Sequence, residues 1–190
     1  VLAVAYSPDG TLIATGDAVG QVSIFNASDL TSAAVTSGHS GRVNDVAWSP
    51  DGLFLASGSS DFYTRIWNSQ GTEVNFFLYQ NGAITTVAFS HDGTRLATGS
   101  SDFTVFIRNL VDEDALPIVL TNDNIVRDIA FTPDDKQIAI AGDDYGVDTW
   151  ILFADDGTYL GYQAQTLNHD YTVISTEYLP NGETLVTATW

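Results

Sequence analysis

Ala47-Trp48-Ser49-Pro50-Asp51-Gly52-Leu53-Phe54-Leu55-Ala56-Ser57-Gly58 is the stretch that decides how this chain folds. Pro50 presets φ for a turn, Asp51 bonds its own backbone, and Gly52 accepts positive φ, so Pro50-Asp51-Gly52 reverses the chain. Ahead of it, Val43 to Ser49 carries apolar residues at 43, 46 and 48 and reads as a strand. Beyond it, Leu53 to Gly58 is a second strand. The turn Ser59-Ser60-Asp61 leads into a third, Thr64 to Asn68, and Gln70-Gly71 into a fourth, Glu73 to Tyr79. No window of comparable length has the period of an amphipathic helix.

The same phrase recurs along the chain. It reads Ala5-Tyr-Ser-Pro-Asp-Gly-Thr-Leu-Ile-Ala-Thr-Gly16 in the first repeat and Ala88-Phe-Ser-His-Asp-Gly-Thr-Arg-Leu-Ala-Thr-Gly99 in the third. Looser copies are Ala130-Phe-Thr-Pro-Asp-Asp-Lys-Gln-Ile-Ala-Ile-Ala141 and Glu177-Tyr-Leu-Pro-Asn-Gly-Glu-Thr-Leu-Val-Thr-Ala188. With Pro8, Pro50, His91, Pro133 and Pro180 as markers, the steps are 42, 41, 42 and 47 residues. A four-stranded meander of about 40 residues cannot bury both faces alone, so copies must stack. Radial stacking gives a propeller. The expected fold is all-β, a β-propeller of four-stranded antiparallel blades, with about four and a half blades and an incomplete ring. The expected blades are 1–38, 39–79, 80–121 and 122–167, with half of a fifth at 168–190.

Gly38-His39, Ser57 on the second strand, Asp61 in the next turn and Trp67 on the third strand name a family. The pattern resembles the His–Ser–Asp–Trp network of WD-repeat (Trp-Asp repeat) β-propeller blades. In that family the Asp accepts from the His, the His bonds the Ser, and the Ser bonds the Trp indole. A buried carboxylate needs such donors. The other repeats depart from it. The third keeps Thr98 and Asp102 but has Gln80 for the His; the fourth keeps Asp144 and Trp150 but has Asn122 and Ile140 at the other places. The first has Val19 where the Asp belongs, and the fifth has His169 and Thr187. The family's Trp-Asp pair reads Phe25-Asn26, Trp67-Asn68 and Arg108-Asn109 in the first three repeats. With no Met in the chain, and with strands Val1 to Tyr6 and Thr184 to Thr189 lacking neighbours, the expectation is an excerpt from a ring of about six to eight blades. Further chain or another copy would complete it.

Twenty-four acidic against six basic residues give a net charge of −18, and Lys136 is the only lysine. Phosphate backbones and anionic membranes are repelled at this balance, so nucleic acid is not an expected partner. No apolar run is long enough to span a bilayer, so membrane insertion is not expected either. Zero Cys excludes disulfides and thiol chemistry but does not identify a compartment.

Catalysis has little to stand on. A hydrolytic triad needs nucleophile, base and orienting acid together, while His39 and His169 hold network positions and His91 takes the Pro place of a turn. The acidic pairs Asp134-Asp135, Asp143-Asp144 and Asp155-Asp156 and the run Asp112-Glu113-Asp114 match no calcium-loop spacing and read as solvated turns. No cofactor is expected. Asn26-Ala27-Ser28 is a glycosylation sequon, meaningful only in a secreted protein.

Binding has a geometric basis instead. The resemblance implies that the loops joining fourth to first strands and second to third strands gather on one face around a central channel, where recognition residues sit on a rigid scaffold. Aligning the repeats puts Arg42, Asn44 and Ser60 there from blade two, Ala83, Thr85 and Ser101 from blade three, and Ile125, Arg127 and Asp143 from blade four. The expected function is a non-catalytic protein-interaction scaffold, cytoplasmic in the ordinary case, with other proteins or copies of itself as partners. The alternative is a structural subunit of an extracellular or filamentous assembly whose open blade edges are completed by other chain segments.

Overall fold

Each turn draws its strands together through the residue before its Pro. In the computed structural model, which describes residues 1–77, 80–112, 114–154 and 157–190, Ser49 Oγ donates to Asp51 at 2.5 Å and the Ser49 N–H to the Phe54 carbonyl at 2.8 Å. Ser7 with Asp9, Ser90 with Asp92, and Thr132 with Asp134 repeat the first bond. This turn takes Ser49 and Leu53 out of the strands expected at Val43 to Ser49 and Leu53 to Gly58, which run Val43–Trp48 and Phe54–Ser59.

The described residues contain strands and no helix. Sheet one holds β1 (Ala3–Tyr6), β2 (Leu12–Gly16), β3 (Gln21–Asn26) and β4 (Ser32–Ser37). Sheet two holds β5 (Val43–Trp48), β6 (Phe54–Ser59), β7 (Thr64–Asn68) and β8 (Glu73–Phe77). Sheet three holds β9 (Ile84–Phe89), β10 (Arg95–Ser100), β11 (Thr104–Asn109) and β12 (Ile118–Thr121). Sheet four holds β13 (Val126–Phe131), β14 (Gln137–Gly142), β15 (Gly146–Phe153) and β16 (Tyr159–Asn168), and a final pair β17 (Val173–Tyr178) and β18 (Leu185–Thr189). All pairings are antiparallel meanders. Leu78 and Tyr79, at the end of the expected fourth strand, lie outside the described residues. The last strand begins at Leu185 and not Thr184, because Thr184 closes the turn to Leu179 and Asn181.

The core lies between sheets, as a blade with two apolar faces requires. Ala14, Val22 and Ile24 of sheet one pack on Val43, Val46, Leu55 and Trp67 of sheet two. Ala56 and Ile66 meet Ile84, Val87 and Leu96, and Val105, Ile107 and Leu120 meet Val126, Ile129, Ile138 and Leu152. Ala139, Ala141 and Val147 meet Val173. The sheets thus form consecutive blades of an incomplete propeller.

Inner strands approach closely because glycine faces them. A Cβ on Gly16 would lie 2.5 Å from Val43 Cγ1, on Gly58 2.6 Å from Ile84 Cγ2, and on Gly99 2.5 Å from Val126 Cγ1. At the fourth interface Ala141 stands in that register position, opposite Asp128 as Gly58 is opposite Asp45.

The turns also stack between blades, Pro8 on Gly52, Pro50 on Gly93 and Pro133 on Gly182. One interface exchanges both partners. His91 replaces the Pro and Asp135 replaces the Gly, adopting φ of 57° where its glycine counterparts have 70° or 71°. That conformation costs a non-glycine residue about 1 kcal/mol. The offset is visible: the Asp135 carboxylate, in a residue only 6% exposed, accepts the His91 and Asp92 N–H groups at 2.8 Å each, and His91 Nδ1 lies 3.2 Å away.

Two further carboxylates tie neighbouring inner strands. Asp45 on β5 accepts the Val87 N–H of β9 at 2.8 Å, and Asp128 on β13 accepts the Thr176 N–H of β17 at 2.7 Å. Thr86 Oγ1 donates to Asp128 at 3.2 Å. Burial, with the negative Asp128 nearby, raises the Asp45 carboxyl from 3.8 to about 6 against the pull of the Val87 and Val46 N–H groups. The folded chain therefore binds a proton there that the unfolded chain has already released. The associated stability is full below pH 3.8 and is lost as pH rises through about 6. Relative to Asp45→Asn, which cannot titrate, the parent's stability is expected to fall by about 2 kcal/mol between about pH 4 and pH 7. Thermal unfolding of both proteins across that range is the measurement, and a pH-independent difference would contradict it.

Candidate functional site

Antiparallel meanders send alternate loops to opposite ends of each blade. The segments entering β5, β9 and β13 share an end with the loops after β6, β10 and β14, while the Pro-Asp-Gly turns lie at the other. The same closure recurs at the first end: Ser60 N–H to the Arg42 carbonyl at 2.9 Å, Ser101 N–H to Ala83 at 2.9 Å, and Asp143 N–H to Ile125 at 3.2 Å. Three successive blades therefore present equivalent residues side by side.

Between them lies a pocket of about 390 Å³ lined by Leu2, Arg42, Asn44, Ser60, Ala83, Thr85, Ser101, Ile125 and Arg127. Its polar lining braces the blades. Asn44 Nδ2 donates to the Ile84 carbonyl of the next blade at 2.7 Å and to Ser60 Oγ at 3.1 Å. Thr85 Oγ1 repeats this one blade on, reaching the Val126 carbonyl at 2.7 Å and Gly99 at 3.0 Å. Ser101 Oγ accepts the Ala83 N–H at 2.9 Å. Asp143 stands beside the lining, where it takes the Arg127 fork through Nε at 2.7 Å and Nη2 at 2.5 Å. That bidentate pair holds the Arg127 guanidinium above its ordinary value. Leu2 is the lining residue that was not singled out, although it stands six residues before Pro8 as Asn44, Thr85 and Arg127 stand before Pro50, His91 and Pro133, and is blade one's member of that set.

In blade two His39, Ser57, Asp61 and Trp67 are brought together. His39 Nδ1 is 3.0 Å from Asp61 Oδ2, His39 Nε2 is 2.8 Å from Ser57 Oγ, and the Trp67 indole N–H donates to Ser57 Oγ at 2.8 Å. Asp61 also accepts the Ser40 and Tyr63 N–H groups at 2.9 and 3.1 Å. With Nδ1–H toward the carboxylate, Nε2 accepts the Ser57 hydroxyl, and the side chains of these four residues are all partnered. Burial, partly opposed by Asp61, lowers the His39 pKa, so the ring is neutral.

The other blades do not repeat it. In blade three Thr98 Oγ1 donates to Gln80 at 2.7 Å, Gln80 Nε2 donates to Thr104 Oγ1 at 3.2 Å, and Thr104 Oγ1 donates to Asp102 at 2.6 Å, so Gln80 reaches the carboxylate through Thr104 where His39 reaches Asp61 directly. In blade four Ile140 offers no hydroxyl, and Trp150 Nε1, Asp144 Oδ1 and Asn122 Oδ1 are buried without a partner. Burial, with Asp148 and Asp123 nearby, raises the Asp144 carboxyl. In blade five the buried His169 Nε2 has no partner, so His169 and Thr187 are not linked.

The remaining acidic positions act locally. Asp134 caps Thr132 and Lys136, and no group of three or more His, Cys, Asp or Glu among the described residues is arranged to hold a metal. Asp155, Asp156 and Glu113 lie outside the described residues. Asn26 ends β3 with its side-chain amide donating to Thr31 Oγ1 at 2.8 Å.

Consecutive four-stranded blades, with a loop-built pocket at one end, define a β-propeller protein. A family profile described as WD domain, G-beta repeat matches residues 1–26, 30–68 and 72–109, more than half of the chain. The chain belongs to the WD-repeat family. A comparison with curated proteins finds no match.

Proposed function

We propose that this chain is a non-catalytic protein-interaction scaffold that receives its partners at the rim pocket formed by Arg42, Asn44, Ser60, Thr85, Ser101 and Arg127, with Asp143 holding Arg127. The supporting observation is the pocket itself: three blades contribute equivalent residues to one concavity of about 390 Å³. Inter-blade hydrogen bonds stiffen its walls. A rigid concave surface loses little entropy when a partner binds. Membership of the WD-repeat family favours the same reading.

Selection of short peptides from a random displayed library on the whole chain tests it. Ala83→Trp fills the pocket without removing a hydrogen bond, and Val111→Ser alters the opposite end of blade three. Selected peptides are expected to lose about tenfold or more in affinity for Ala83→Trp and to bind Val111→Ser unchanged. Failure to enrich any peptide, or indifference to Ala83→Trp, would overturn the scaffold reading. The assembly reading draws on a different observation: β18 pairs only with β17 among the described residues, and its Val186 is 51% exposed. Concentration-dependent sedimentation would favour that alternative.

A further inference from the structure

In a protein of net charge −18 the rim pocket is lined by two of the five arginines and by no Asp or Glu. Its hydrogen-bonding capacity narrows the matter further. Asn44 and Thr85 are engaged in bracing neighbouring blades, Ser101 Oγ by the Ala83 N–H of its own blade, and Arg127 by Asp143. Arg42 is exposed, and its guanidinium meets no partner among the described residues. The one strong donor left to a ligand is a planar fork that matches a carboxylate in bidentate geometry.

Charge sets the number of negative groups. Asp143 cancels Arg127, which leaves the pocket one uncompensated positive charge, enough for a monoanion but not for a dianion. Outside the pocket the summed field is negative and acts over roughly a Debye length of 10 Å, so a polyacidic segment is repelled before it arrives. Resting on the scaffold reading above, we infer that the rim pocket recognises a partner segment that presents a single side-chain carboxylate to Arg42 between neutral or basic neighbours.

Side-chain Nε–H signals of the arginines, with Arg42 assigned by its loss in Arg42→Gln, report directly on this contact. The probes are N-acetyl-glutamate methylamide, its glutamine counterpart and its phosphoserine counterpart, each titrated to about 50 mM into the whole chain. A saturable shift of the Arg42 signal with the glutamate compound, about fivefold larger than with glutamine, is expected, along with weaker binding of the phosphoserine dianion. No saturable shift with glutamate would overturn the inference, and tighter binding of phosphoserine would overturn the choice of a carboxylate. Short peptides add the field. One Glu flanked by Ser and Lys is expected to bind about tenfold tighter at low salt than an all-Glu peptide, with salt weakening the first and strengthening the second. The reverse order would also overturn it. Peptide selection that depends on Ala83→Trp but lacks a Glu or Asp preference would leave the scaffold reading intact while removing this one.

Discussion

Asp61→Ala is expected to destabilise the protein by about 3 kcal/mol, because the change removes the acceptor of three donors at once. His39 Nδ1, the Ser40 N–H and the Tyr63 N–H all converge on that carboxylate. The backbone groups recover water in part, but the His39 ring is buried and its ordering of Ser57 and Trp67 is lost with it. For a chain of this size the loss corresponds to a melting shift of about 6–12 °C. Val19 occupies the corresponding turn of blade one and is 82% exposed. Val19→Ala is therefore expected to change stability by less than about 0.5 kcal/mol. Thermal unfolding of the two variants side by side is decisive, and equal shifts would dissolve the network as an energetic unit.

The second large effect comes from Gly58→Ala. The added Cβ would lie 2.6 Å from Ile84 Cγ2 and 3.0 Å from Val87 Cγ1, both in a tightly packed layer between blades. Overpacking of this kind costs about 2–3 kcal/mol. The cause is specific enough to be relieved. Ile84→Leu preserves volume but removes the branch at Cβ that carries the offending Cγ2. Combined with Gly58→Ala it is expected to recover about 1 kcal/mol relative to the sum of the single changes. Strict additivity in that cycle would show that the glycine is required for its backbone and not for the space it leaves.

Much of this was legible from one line of sequence. The Pro-Asp-Gly turns fix strand reversals locally, and a period of about 42 residues made stacking unavoidable. Alignment of the repeats named eight of the nine residues that line the pocket, because equivalent loops of stacked blades fall on one end. What stayed hidden depends on the offset between blades, which no single repeat contains. Asp45 and Asp128 lie within β5 and β13, and the sequence of their own repeat does not show that each accepts a backbone N–H from the following blade. Asp143 read as a rim residue of its own, yet it serves Arg127. The exchange of Pro and Gly for His91 and Asp135 was visible in each repeat separately, but its complementarity appears only where the two turns meet. In blade four Asp144 and Trp150 matched by position, while Ile140 removed the hydroxyl that would have joined them.

The glycines at 16, 58 and 99 set more than local packing. Each lets two inner strands close up near the axis while the outer strands, with larger side chains between them, stay apart, and this difference in thickness is a wedge. Wedges add, so the arc described by successive blades is a sum of small angles, one for each side chain that faces an inner strand. Ala141 adds a methyl group at the corresponding position of the fourth interface, where it packs with Val173. The span that a ligand at the rim must bridge is therefore sensitive to the residue at one position per repeat.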